Sequence, residues 1–294
     1  MRKQLPTVTN DVYTYTFRKA QLQKAGKKVF MVGLLLLGGL YSTRLCAQVN
    51  VSGKSGLIYI PTAEVQEDRT FSAGYAYNPK NYAFRFNKKN SESIAFVNLV
   101  FLPRFEVNIN LLNPNGPIRF GDKGIGDRQI DVRYVVLTEK AKRPSVAIIL
   151  SAPFGIDNSL ITNAVVATKH LAISRSITAA VTAGVGSPYS IYRAEVRNDQ
   201  NSDILSGFML TDKRDRPYYY LAGPIGGVKV DFARKGGVMV EWDSQHMNVG
   251  AYALLFKHWT VQAGLLNGDQ LTIGTSCAFN VRRLPKRLRK HDGA

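Results

Sequence analysis

The sequence predicts an all-β protein, an antiparallel barrel of roughly 12 strands that crosses a membrane. Two observations carry this. The stretch from Gly227 to Val281 alternates apolar and polar residues with period two through successive segments joined by short turns. Upstream, a basic stretch and a 13-residue apolar run, Val29–Tyr41, lead into Cys46-Ala47-Gln48. That leader has the form of a secretory signal peptide cleaved after Ala47. The alternation fits equally a soluble sandwich that buries its apolar face and a membrane barrel that turns it to lipid. The leader favours the barrel.

In the C-terminal meander, Val228, Val230 and Phe232 oppose Lys229 and Asp231, and Val238, Val240 and Trp242 oppose Met239, Glu241 and Asp243. Further on, Trp259, Val261, Ala263 and Leu265 oppose His258, Thr260 and Gln262, and Leu271, Ile273, Cys277 and Phe279 oppose Thr272, Gly274 and Ser276. Turns are expected at Lys235-Gly236 and Asn267-Gly268.

The earlier chain reads the same way. Thr70–Tyr77 and Tyr82–Phe86 form a candidate hairpin. Ser93–Leu102 and Arg104–Leu112 pair across Pro103, and Asp127–Leu137 alternates. Pro144–Ala152, Asn163–Ile173 and Ile177–Gly186 are more evenly apolar, with a helix over Leu160–Ala172 as a minor alternative. Tyr189–Pro217 is a long polar loop, and Tyr218–Leu221 opens the next strand. Aromatics near strand ends (Phe71, Tyr82, Phe101, Phe105, Tyr134, Tyr218, Trp242, Phe256 and Trp259) suggest interfacial girdles. The expected organisation is a signal peptide over 1–47, an N-terminal plug-like segment over 48–69, a barrel over 70–281 and a basic tail over 282–294.

The net charge of +18 lies mainly in the leader and the tail, which together leave +6 on residues 48–281. No basic–aromatic motif lies within that body, so nucleic acid is not an expected partner. Of the two cysteines, Cys46 precedes the cleavage site and Cys277 lies on an apolar strand face, so no disulfide is expected.

Little points to catalysis. The four histidines have no metal-ligand spacing and no nucleophile elbow is present, so neither metal nor cofactor is expected. His258 and Ser276 read as two lumen-facing polar residues. Gly121–Gly126 and Gly223–Gly227 read as turns. The carboxylates Glu106, Asp127, Asp131, Asp231, Glu241 and Asp243, with Arg133, Lys229 and Arg85, fall on the polar face. They are candidates to line the lumen, either contacting a polyhydroxylated chain or neutralising one another inside a narrow barrel.

Gly56-Leu-Ile-Tyr-Ile-Pro61-Thr62-Ala63, followed by Asp68 and Gly74-Tyr75, resembles the opening of the YjbH family. Leu102-Pro-Arg-Phe-Glu106, Asp127–Leu137, Pro144–Pro153 and Val240-Glu-Trp-Asp243 with Asn248-Val-Gly250 extend the resemblance. The family usually carries Gly after the Asp, where this chain has Arg69. The resemblance implies a non-enzymatic outer-membrane barrel of a Gram-negative bacterium, concerned with producing, exporting or anchoring an exopolysaccharide. Its implied partners are membrane lipid, polysaccharide and other export components. The alternatives are a soluble periplasmic β-sandwich that binds a lipid or sugar, and a barrel hydrolase.

Overall fold

The computed structural model describes residues 48–85, 90–116, 127–153, 160–193, 208–215, 219–233 and 235–281. The expected signal peptide, the basic tail, Gly121–Gly126 and Tyr218 lie outside these residues. The described residues form fourteen strands: β1 (Thr70–Asn78), β2 (Glu92–Leu102), β3 (Phe105–Pro114), β4 (Asp127–Leu137), β5 (Ser145–Ser151), β6 (Ala164–Ala172), β7 (Ile177–Gly186), β8 (Tyr189–Arg193), β9 (Phe208–Asp212), β10 (Gly223–Phe232), β11 (Gly236–Trp242), β12 (Met247–Leu255), β13 (Trp259–Leu266) and β14 (Gln270–Asn280). Twelve of them close into an antiparallel barrel in chain order, with β8 and β9 set aside as a separate hairpin between β7 and β10. The seam joins β1 to β14, with Thr70 opposite Asn280 and Tyr77 opposite Ile273.

The pleat sends the apolar set outward. Val228, Val238, Val240, Val261, Leu265, Leu271 and Ile273 are exposed, whereas Lys229, Glu241, Thr260 and Thr272 between them are buried. A soluble sandwich requires the opposite, so that alternative is set aside. An apolar belt of this extent round a closed sheet suits lipid. Cys277 faces outward with the belt. Exposed Phe101, Phe256 and Trp259 gather at the end with short turns, and Trp242 lies towards the other.

Turn chemistry explains the tight connections. In the three-residue connection between β13 and β14, Asn267 and Gly268 both take positive φ, 47° and 75°, as the central residues of a turn closed by Asp269 N–H to Leu266 O (2.9 Å). At Pro103-Arg104 the proline fixes the first turn residue and Arg104 takes φ 69°. Arg69 stands at φ 62°, a left-handed conformation that glycine adopts without cost. The family's usual glycine after the Asp thus corresponds to a real backbone demand, which this chain meets with arginine.

Several local expectations are corrected. Residues 82–85, the described part of the expected Tyr82–Phe86 strand, form no strand, since β1 pairs with β2 instead. Tyr82 is buried within the barrel mouth and takes no part in a girdle. Its hydroxyl donates to Asp269 (2.6 Å), and its carbonyl accepts from Asn78 (2.6 Å). Arg85 lies in the same connection, its N–H donating to Glu92, and is not on a strand face. Tyr220 and Leu221 are buried ahead of β10 and do not open it. Gly223–Gly227 is strand, as is 164–172, where β-branched Val165 and Val166 and pairing with β5 and β7 override the helical alternative. The loop expected over Tyr189–Pro217 carries β8 and β9.

Candidate functional site

Residues 48–64 lie inside the ring of strands. Bridges between Val49 and Ser55 and between Gly56 and Pro61 fold them into tight turns, closed by Leu57 N–H to Ile60 O and Thr62 N–H to Ser55 O, each 2.9 Å. Leu57, Ile58, Tyr59 and Ile60 pack with inward Ile94, Leu112, Ile149, Val166, Met239 and Leu266, so the interior holds an apolar cluster as well as charge. Gly53 (φ 83°) lies against Phe96, and a Cβ there would fall 2.4 Å from its ring. A Cβ on Gly56 would come equally close to the Ile60 carbonyl, so the turn requires glycine at that motif position.

The strand residues named from sequence meet this segment in three groups. In the first, Lys54 is 1% exposed and its ammonium lies 2.6 Å from Asp131 on β4. Asp131 also accepts from Ser151 and Asn110. In the second, Glu106 on β3 accepts from the Ser55 N–H (3.3 Å) and hydroxyl (3.1 Å) and from Asn98 (2.6 Å), and lies 3.2 Å from Arg133. Arg133 donates to the carbonyls of Thr62 (3.1 Å) and Glu64. Ala63 N–H donates to Thr168 (2.9 Å). In the third, Lys229 on β10 is fully buried, with its ammonium 2.8 Å from both Glu64 oxygens and 3.8 Å from Asp231. His170 bridges two carboxylates, Nε2 2.9 Å from Glu64 and Nδ1 2.6 Å from Glu139.

Glu241 on β11 holds the tip of the segment. Its oxygens accept from the backbone N–H groups of Ile58 (3.0 Å), Tyr59 (2.8 Å) and Ile60 (3.2 Å) and from Asn248 (3.2 Å). Asp243 accepts from Asn248 (2.9 Å) and from the His246 N–H (2.8 Å). Beyond the tip, Tyr59, Phe84 and Tyr220 stack edge to face around a small open cleft that Asp243 and His246 also line. Lys213, just after β9, donates to the carbonyls of Ile161 (2.9 Å) and Tyr220 (3.0 Å) at this end. Asp127 sits at the long-loop end of β4, opposite Leu112. At the other end, the Asp68 carbonyl accepts from Asn280 (3.1 Å).

Sequence reasoning placed the wall charges but missed their partners Lys54, Glu64 and His170. The signal was present: two charges flank Leu57-Ile-Tyr-Ile60, and a buried apolar stretch carries such charges inward only where counter-ions await them. His258 is not lumen-facing. It lies in the exposed turn before Trp259, whereas Ser276 faces inward, so the two do not form a catalytic pair. Among the described residues no cluster of side chains suits a metal ion.

Burial alone would raise the Glu64 carboxyl, but the Lys229 charge and hydrogen bonds from His170 and Lys229 outweigh it and hold it well below the usual carboxylate range. A depressed carboxyl contributes stability that is present above its unfolded pKa and is lost as pH falls through the folded value. Since that value lies far below ordinary carboxylates, Glu64 is expected to stay ionised beside Lys229 at about pH 5 as at about pH 7, so the stability lost on Lys229→Met, read from the fast-migrating unboiled band, is expected to be the same at both. A much smaller loss at the lower pH would refute the pairing.

A model of the YjbH family, described as exopolysaccharide biosynthesis protein YbjH, matches residues 48–206, more than half of the chain. The chain belongs to the YjbH family. Its matched region runs from the first described residue of the N-terminal segment through β8, and so includes Gly56, Pro61, Thr62, Ala63 and Asp68. Among solved structures, a KdgM porin in complex with disordered oligogalacturonate is similar at 9% identity and a TM-score of 0.37, covering 71% of this chain and 98% of the porin. A search of curated proteins returned no match. By its family the chain is associated with exopolysaccharide, and its closed barrel with an outward apolar belt has the form of a membrane barrel.

Proposed function

We propose that this YjbH-family barrel is a non-catalytic, gated component of exopolysaccharide export, held closed by its own N-terminal segment acting as a plug. One observation carries the reading. The wall groups that would line a polar passage are occupied by residues 48–64: Asp131 by Lys54, Glu106 by Ser55, Lys229 by Glu64 and Glu241 by the backbone of Ile58–Ile60. A wall built to interact with a polar chain segment is chemically suited to exchange it for another polar chain. In this reading the leader over 1–47 directs secretion and is removed at Ala47, and the short turns face the periplasm of a Gram-negative cell. Other export components are the partners that would displace the plug.

Cells lacking the protein are expected to lose surface polysaccharide. The protein from outer-membrane fractions is expected to run faster unboiled than boiled, as a closed barrel does. Unchanged polysaccharide in the lacking cells would defeat the export reading, whereas a soluble protein with no mobility shift would defeat the membrane barrel beneath it.

A further inference from the structure

The wall facing Gly53–Ser55 holds more hydrogen-bonding capacity than the plug uses. Asn98 on β2, Asn108 and Asn110 on β3 and Gln129 on β4 all point inward and are at most 2% exposed. They are contiguous, because Asn98 lies opposite Asn108 and Asn110 opposite Gln129 in the strand registers. Each makes bonds through one end of its amide. Asn98 donates to Glu106 and to the Gly53 carbonyl (3.0 Å), Asn110 donates to Asn108 (2.9 Å) and to Asp131 (3.3 Å), and Gln129 donates to the carbonyls of Ile130 (3.1 Å) and Ala152 (2.9 Å). The other ends, Asn98 Oδ1, Asn108 Nδ2, Asn110 Oδ1 and Gln129 Oε1, are buried without a hydrogen-bond partner among the described residues. Buried amides are ordinarily satisfied, and several together on one wall call for an explanation.

Resting on the gated-export reading, we infer that this amide wall is the polysaccharide-binding track of the lumen, and that its ligand is a hydroxyl-rich glycan without acidic groups. Three of the four free atoms are acceptors, and the wall also carries the carboxylates of Glu106 and Asp131. It therefore asks for donors. Sugar hydroxyls supply them while also accepting from Asn108, because a hydroxyl serves both roles. A uronic acid would set its carboxylate against Glu106 and Asp131. The plug previews the ligand. Against this wall it offers the Ser55 hydroxyl and N–H, the Lys54 ammonium and the Gly53 carbonyl, which are mostly donors and free of acid.

The test uses the full chain in cells lacking their own copy. Asn108→Leu and, separately, Gln129→Met replace amides by apolar side chains of similar size on different strands. Surface polysaccharide is expected to fall several-fold in both, with the fast-migrating unboiled band retained. Wild-type polysaccharide with that band intact overturns the track. If Asn108→Leu loses the band, Gln129→Met decides alone. A released polymer rich in uronic acids overturns the assigned ligand class. Loss of polysaccharide in cells with no copy, together with normal output from both variants, leaves the gated barrel standing and removes only the track.

Discussion

Glu241→Ala is expected to free the tip of the N-terminal segment, residues 58–60, while leaving the twelve barrel strands paired. Three consecutive N–H groups, from Ile58 to Ile60, converge on this one carboxylate because the turn closed by Leu57 N–H and Ile60 O aims them the same way. The site is 1% exposed, so water does not substitute readily. Each buried donor left unpaired costs about 1–3 kcal/mol, so the variant loses several kcal/mol at the tip. The measurement is limited proteolysis of the folded protein, read beside the boiled and unboiled bands. Cleavage within residues 48–64 is expected to accelerate greatly while the fast band persists. Glu241→Gln should fall between the two, because the amide keeps one accepting oxygen and turns donors toward donors. Equal protection in wild type and Glu241→Ala would show that the apolar cluster around Ile58 and Ile60 holds the tip unaided.

Lys229→Met removes the other anchor and is expected to have an effect of similar size. The Lys229 side chain is fully buried, and its ammonium meets both oxygens of Glu64. Breaking a buried pair by deleting one partner typically costs about 3–5 kcal/mol, chiefly because the remaining charge stays buried. His170 contacts the Glu64 carboxylate as well, which moderates the loss without restoring the charge balance. Adding Glu64→Gln to Lys229→Met should recover much of the stability, since no unpaired carboxylate then remains. Temperature-dependent loss of the fast-migrating band measures all four members of that cycle. A double variant no more stable than Lys229→Met alone would place the cost in lost packing and not in the ion pair.

The strands were legible because outward and inward residues differ so sharply in polarity. The alternation of Val228, Lys229 and Val230, or of Asp127, Gln129 and Asp131 against Ile130 and Val132, follows directly from the pleat. Contacts inside the barrel were legible only on one side. Period two names the inward charges Glu106, Asp131, Lys229 and Glu241, but pairs them with nothing, because their partners lie far away in the chain, in a segment without regular periodicity. Glu64 and Lys229 are 165 residues apart in sequence and meet only once the sheet has curved shut. The misread Tyr82–Phe86 has a similar cause. Tyr82 and Phe84 look like strand residues, yet Phe84 packs on Tyr59 and Tyr220 and Tyr82 on His246, contacts that no local pattern reveals.

The seam between β1 and β14 also constrains how the molecule assembles. Thr70 must find Asn280 across almost the whole barrel sequence, and contacts so distant are entropically costly to form and slow to nucleate. Neighbouring hairpins can form early, since their turns are short. Seam closure comes late by the same reasoning. Residues 48–64 grip β3 and β4 on one side and β10 and β11 on the other. Those walls face each other only in the curved sheet, so the final docking of this segment coincides with closure or follows it. The first part of the folded chain to be synthesised is thus among the last to reach its native place.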